Sequence, residues 1–360
     1  MNKSKFFEDL KVVELASVLA GPAVGLFFAE LGADVVKVEN KLTGGDVTRN
    51  WRLPGEENSE NASSYYYSVN WHKKVLMRDL SNEDDRAEII GLIEEADLVI
   101  ANFKAGAAEK LGVAYEQLKL HNPRLIYASV NAYGESDPTP GFDVVIQAET
   151  GWIYMNGEPE GLPVKMPVAL MDVLAAHQLK EGILLALLDR ERTGKGCNVS
   201  ISLFDTGVAS LANQATNWLN LEYIPQRLGS RHPNIAPYGD TFFTADDKAL
   251  IISTATTKQW EGLCHILGMP ELITDPRFES NTLRLQNRDE LAKPLEAGFA
   301  KFDSQELLAM CQTRQVPVAP IRDMREVFEE AAAQDLVLEE TAADGSVSKR
   351  VQTAVFKLRR

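Results

Sequence analysis

Carboxylates carry the most chemical promise in this chain, and Asp172 is the best placed of them. It follows an apolar extended stretch, Met166-Pro167-Val168-Ala169-Leu170-Met171, and precedes a long, mostly apolar run from Val173 to Leu188. Two readings fit that position. In the plain one it is a helix N-cap, where an aspartate oxygen satisfies an orphan backbone N–H. In the other it is a nucleophile, since an ionised carboxylate in an apolar setting can form covalent intermediates. The two are compatible, because the positive end of a helix would keep the carboxylate ionised. Asp143, after Pro140-Gly141-Phe142, reads plainly as a turn residue.

Other chemistries lack their residues. The five histidines, His72, His121, His177, His232 and His265, show no metal-ligand spacing such as H-E-x-x-H. There is no G-x-S-x-G elbow for a serine nucleophile and no Walker A loop. Gly194-Lys195-Gly196 and Gly44-Gly45-Asp46 read as turns. The first strand–turn–helix outlines a nucleotide site, with Glu39 ending the next strand. Yet Ala20-Gly21-Pro22-Ala23-Val24-Gly25 puts proline where the second glycine of G-x-G-x-x-G would let backbone approach a pyrophosphate. That argues against a nicotinamide cofactor.

The elements that must hold Asp172 form a repeating pattern. Lys11 to Ala16 reads as a buried strand, then a turn, then a helix with Pro22 at its first position and Gly32 at its end. Val35 to Glu39, Asp97 to Ala101, Pro123 to Val130 and Asn198 to Leu203 read as further strands. Glu83 to Glu95 and Ala107 to Leu111 read as helices, and Val173 to Leu188 as one buried nearly all round. Such alternation predicts an open parallel sheet with helices on both faces. A smaller α+β region follows. Its strands are expected at Thr241 to Phe243 and Ala249 to Ser253, and its helices at Lys258 to Leu267, Arg288 to Phe299 and Ser304 to Gln312. The expected division is 1–215, 216–325 and a return segment 326–360.

At 360 residues, with 45% hydrophobic and 25% charged, the chain has the composition of a globular protein of about two domains. Its longest apolar runs fall short of the roughly 18 residues that span a membrane. The segment Met1 to Asp9 does not read as a signal peptide. Cys197, Cys264 and Cys311 are too scattered for a disulfide framework or a metal site, and they fit a reducing cytoplasm. A net charge of −15 argues against nucleic-acid binding. An anionic ligand would need a local cluster of cations or backbone donors.

Several motifs, in order, resemble the family III CoA-transferases, a group that includes carnitine CoA-transferases, formyl-CoA transferase and α-methylacyl-CoA racemases. They are Leu19-Ala20-Gly21-Pro22 with Leu31-Gly32-Ala33-Asp34-Val35-Val36-Lys37-Val38-Glu39, and Gly45-Asp46-Val47-Thr48-Arg49. Next come Asn102-Phe103-Lys104-Ala105-Gly106 with Lys110-Leu111-Gly112, Asn122 to Tyr127, and Arg192 to Gly196. Arg231 to Tyr238 and Asp275-Pro276-Arg277-Phe278 complete the set. The resemblance implies a Rossmann-like large domain, a smaller α+β domain and an interlocked homodimer. It implies acyl-CoA and a small carboxylic acid as substrates, with no permanently bound cofactor and no metal. Asp172 matches the family's catalytic aspartate by position, and Asp143 is expected as a second catalytic carboxylate.

For CoA, the resemblance points to Val18, Leu19 and Ala20 in the first turn, to Asn102 and Phe103, and to Lys110 where arginine is common. Asn40 stands where a basic residue often occurs. Arg78 falls in the adenine region, with Lys73 just upstream. Leu19 replaces the glutamine of the formyl-CoA branch, and Ser253 to Thr257 replaces its glycine-rich loop, which points away from oxalate. Phe142 stands where the racemase branch has histidine, which favours transfer over racemisation. The racemase and a non-catalytic CoA-binding subunit are the competing readings.

Overall fold

The computed structural model describes residues 5–56, 62–341, 345 and 347–357. The first four residues of the segment Met1 to Asp9 and the last three of the chain lie outside them. The chain forms two compact units. The first comprises Met1–Trp152, Lys165–Ala215 and Ala332–Arg360, and the second Ile153–Val164 and Thr216–Ala331. The segment Ile153–Val164, expected in the large domain, thus groups with the small one.

The first unit is built on six strands: β1 (Lys11–Glu14), β2 (Asp34–Asn40), β3 (Lys74–Arg78), β4 (Leu98–Ala101), β5 (Ile126–Asn131) and β6 (Asn198–Ser202). All pair in parallel, in the order β3-β2-β1-β4-β5-β6. Apolar residues fill both faces, as a sheet covered on both sides requires. Val12, Leu98, Ile100 and Ala128 belong to one core; Val13, Val99 and Tyr127 belong to the other. The order reverses between β1 and β4, so the loops after these two strands diverge. In open α/β sheets that divergence makes a ligand crevice beyond the strand ends.

The first helix, Ala20–Glu30, starts two residues earlier than its sequence suggests. Pro22 is its third residue, still within the turn whose N–H groups have no intrahelical acceptor, so the proline costs nothing. Two glycines let this helix lie directly on β1 and the residues after it. A Cβ at Gly21 would sit 2.4 Å from Ala16 Cβ, and one at Gly25 would collide with the Glu14 carboxylate. Gly32, at φ 99°, takes the left-handed conformation beyond the helix end.

The long helix, Leu170–Thr193, ends at Gly194 in the left-handed conformation. It packs on the first helix and on β5 and β6. It is not buried all round, as its composition had suggested. Leu184, Leu185 and Leu188 are exposed, Leu185 to 68%. Beneath it, Glu30 clasps the returning chain after the antiparallel hairpin β10 (Val337–Thr341) and β11 (Val347–Val351). Glu30 accepts from Arg350 Nη1 at 2.7 Å and from the backbone N–H groups of Thr353 and Ala354.

The second unit holds a three-stranded antiparallel sheet, β7 (Tyr238–Phe243), β8 (Ala249–Ser253) and β9 (Val318–Pro320). Helices Thr257–Ile266, Arg288–Phe299 and Ser304–Thr313 complete its core around Trp260, Leu263, Leu295, Phe299 and Leu307.

Candidate active site

Asp172 is the third residue of the long helix, and its N-cap position falls to Ala169, which has no capping side chain. Asp172 is therefore not the N-cap. The missing acceptor comes from Asp143, whose Oδ1 accepts from the Met171 N–H at 2.7 Å. Asp143 opens the short helix Asp143–Glu149, and its Oδ2 accepts from Gln147 Nε2 at 2.7 Å. Gln147 Oε1 in turn accepts from the Met166 N–H at 2.8 Å. A residue read as a turn thus caps a helix 27 positions away. Because Asp143 takes that role, the Asp172 carboxylate is left for other chemistry.

Asp172 is only 9% exposed, and what remains open faces a cavity of about 290 Å³. Burial, and then the nearby charge of Asp143, push its carboxyl up to about 7. Its place in the first helical turn does not hold it in the ordinary acidic range, because desolvation and like charge outweigh that effect. Ser17, Val18, Leu19 and Ala20 line the same cavity. The first helix has no side-chain cap, and Leu19 and Ala20 at its opening line the same cavity as Asp172. Phe142, 61% exposed, and Leu203 supply apolar wall. Tyr65, edge-on to Trp51, has its phenol pushed up by burial and then by Asp172 and Asp143, so it feels the same pair.

Ser17, Asn102, Phe103 and Lys104 also line a wider cleft of about 710 Å³, so the two spaces adjoin across a shared wall. The cleft lies at the switch between β1 and β4, and Asn40 and Arg78 stand in it. Asn40 Oδ1 accepts from the Leu42 N–H and shapes the turn after β2. Arg78 makes a two-pronged pair with Glu88, at 2.8 Å on each prong. Asn102 clips Ser17 at both ends of the residue, accepting from its N–H and donating to its carbonyl.

Two expected ligand residues line neither space. Lys73 points into the protein with its side chain fully buried, 2.8 Å from Glu14 Oε2 and 2.8 Å from the Pro22 carbonyl. Freeing it would leave Glu14 less well paired in the interior, a strongly unfavourable change. Lys110 is exposed on the short helix Ala107–Lys110, from which Ala107 and the following Leu111 line the cleft instead. The cation that does line both spaces is Lys104. It lies inside a quoted motif but carries no distinguishing spacing, and only the fold separates it from Lys110. Behind the first turn, Lys37 is fully buried between Glu14 at 3.0 Å and Asp46 at 3.1 Å. Burial disfavours its ammonium, but the two carboxylates outweigh that and raise its pKa.

No helix among the described residues is long and apolar enough to cross a membrane, and no His/Cys/Asp/Glu cluster among them could hold a metal. A family model described as CoA-transferase family III matches residues 7–360. A succinate–glutarate CoA-transferase of Agrobacterium fabrum is 36% identical, covering 99% of this chain and 90% of its own. An acetyl-CoA:oxalate CoA-transferase of Acetobacter aceti is 34% identical, over 92% of this chain and 85% of its own. A CaiB/BaiF family protein from Brucella suis superposes with a TM-score of 0.83 at 37% identity, covering 97% of this chain and 92% of that one. The open parallel sheet, its crevice and these relatives agree: the chain belongs to CoA-transferase family III and is a CoA-transferase.

Proposed function

We propose that CoA moves from an acyl-CoA donor to a carboxylic acid acceptor through covalent intermediates on Asp172. The observation that carries this reading is a buried carboxylate, relieved of helix capping by Asp143, in a small cavity that shares a wall with a wider cleft. The Asp172 carboxylate attacks the thioester carbonyl carbon, the C–S bond breaks, and CoA leaves as thiolate. The product is a mixed anhydride of Asp172 and the donor acid. The thiolate then attacks the Asp172 carbonyl, expels the donor as carboxylate and forms an aspartyl-CoA thioester. The acceptor carboxylate attacks that thioester and releases thiolate again. The thiolate finally takes the acceptor's acyl carbon, and Asp172 regains its carboxylate.

No step consumes water, so a small, walled cavity protects the anhydrides from hydrolysis. In this scheme amides at the opening of the first helix, where Ala20 lines the cavity, stabilise the oxyanions. The wider cleft suits the nucleotide end of CoA, with Asn40, Arg78, Asn102 and Phe103 around it and Lys104 as the cation for phosphate or carboxylate. Leu19 and Ala20 would contact the pantetheine end nearest Asp172. CoA is thus substrate, and no resident cofactor is part of the scheme. Racemisation would need a second proton-transfer group, and Phe142 offers none.

The acceptor we favour is a small dicarboxylic acid. Relatives of 34 to 36% identity are named for succinate, glutarate, oxalate and mesaconate, and Lys104 could pair with the carboxylate that does not react. A homodimer fits the exposed leucines of the long helix. A cytoplasmic setting fits three free cysteines. The test is transfer measured by mass spectrometry with succinyl-CoA against a panel of acids. Asp172→Asn should lose at least 1,000-fold in kcat with its fold intact, and a variant keeping a tenth of the rate contradicts the nucleophile.

A further inference from the structure

We infer that Asp46, locked by Lys37, is a positioning residue for CoA transfer. It holds Val18 in the left-handed conformation that sets the opening amides of the first helix beside Asp172. The inference rests on the reading of Asp172 given above.

Val18 has φ 72°. A β-branched residue is a genuine outlier there, because its Cβ crowds the backbone, whereas glycine takes that conformation freely. Something must impose it, and the neighbours on both sides do. Ser17 is clipped by Asn102 through its N–H and its carbonyl. The Val18 N–H itself donates to the Asp46 carboxylate, at 3.1 Å to Oδ2 and 3.4 Å to Oδ1.

Asp46 can impose a conformation only if it cannot move, and every remaining contact fixes it. Lys37 Nζ lies 3.1 Å from Oδ2, with both side chains fully buried. Oδ1 accepts from the Thr48 N–H at 3.0 Å and from Thr48 Oγ1 at 2.8 Å. The Asp46 N–H donates to Glu39 Oε2, and Glu39 is itself gripped by Arg49 and Tyr66. Lys37 is anchored on its far side by Glu14 and the Ala16 carbonyl. The chain runs from a buried lysine in the middle of β2, through one carboxylate, to a strained residue of the cavity wall. Strain of this kind persists only where the surroundings over-determine it, and it gathers at functional sites.

The consequence for the reaction is geometric. Val18 immediately precedes Leu19 and Ala20, which line the cavity with Asp172. Were Val18 to relax to negative φ, the peptide planes after it would turn, and the first amides of the helix would swing with them. Such donors act on the oxyanion in the transition state. Loss of Asp46 should therefore fall on kcat rather than on acyl-CoA binding.

The test is a rescue. Asp46→Ala should lower kcat tenfold or more and change the KM for acyl-CoA less than threefold. Adding Val18→Gly to that variant should recover at least threefold in kcat, since glycine reaches the conformation without being forced. A purely structural role, through the cap of the turn at Thr48 or the partner of Lys37, would not be repaired by a glycine at 18. Asp46→Ser keeps a hydroxyl for capping the turn but cannot also hold Val18, and it serves should the alanine variant fail to fold. It should show the same loss and the same rescue. Wild-type kcat in a folded Asp46 variant, or a double variant no faster than its Asp46 parent, overturns the inference. Asp172→Asn judges the nucleophile separately: activity there would sink the covalent scheme and leave the rescue result standing.

Discussion

The two carboxylates Asp172 and Asp143 differ in what surrounds them, and the difference assigns their roles. Asp143 is held by the Met171 N–H and by Gln147. Asp172 has burial and a like charge against it, and its carboxyl is pushed up to about 7. Only the ionised form attacks a thioester, so kcat/KM should rise with pH and level off above an inflection near 7 in the free enzyme. Asp143→Asn removes a negative charge and should move that inflection to lower pH. The shift should be partial, because burial is the larger cause. An inflection that stayed put or rose would mean that Asp143 does not act on Asp172 through charge. At this scale the sequence was only partly readable. Asp172 stood out by its setting and by family resemblance. That Asp143 caps the helix was hidden, since the bond spans 28 positions and no local window contains it. The sequence reading favoured Lys73 and passed over Lys104, yet Lys104 lines the cavities and Lys73 is buried against Glu14. Their fates depend on which way β3 and the loop after β4 face.

Elements were more legible where burial imposed a pattern. β1, β4 and β5 are short and largely apolar, β2 interleaves valines with charged residues, and all four were read from sequence within a few residues. β3 was not, because Lys74–Arg78 is an edge strand with several exposed residues. The hairpin β10–β11 was missed for a similar reason, since its residues are mostly polar or exposed. Its tie to the first helix runs through Glu30 and Arg350, whose side chains are 1% and 3% exposed. Removing one member of a buried pair leaves the other charge uncompensated, at about 3–5 kcal/mol. Glu30→Ala should therefore destabilise the first unit by about that amount in urea unfolding, with the loss of two backbone acceptor bonds included. A loss under about 1 kcal/mol would show that the clasp contributes little to holding the return segment.

For the whole molecule, the net charge of −15 opposes an anionic substrate at long range, so binding must rely on local donors. The cleft offers them sparingly: Arg78 is already engaged by Glu88, which leaves Lys104 and backbone amides prominent. The long helix exposes Leu184, Leu185 and Leu188 in a row that water covers poorly in an isolated chain. Light scattering should give twice the 39.8 kDa of one chain, and Leu185→Glu should shift the population toward monomer. A monomer at all concentrations would leave those leucines unexplained and the homodimer without support. The composition and the alternation of elements were enough to read the α/β class. The exposed stripe was not readable, because an apolar helix sequence does not say which of its faces lacks a neighbour.

The covalent route through Asp172 is the central claim, and trapping its intermediate tests it most directly. The protein would be incubated with an acyl-CoA donor, quenched with hydroxylamine or borohydride, digested and mapped by mass spectrometry. The account predicts a donor-dependent hydroxamate or reduced side chain at Asp172, absent when CoA alone is supplied. A modified carboxylate elsewhere with Asp172 untouched, or rapid transfer with no trapped species under conditions that trap a known acyl-aspartate, would contradict it.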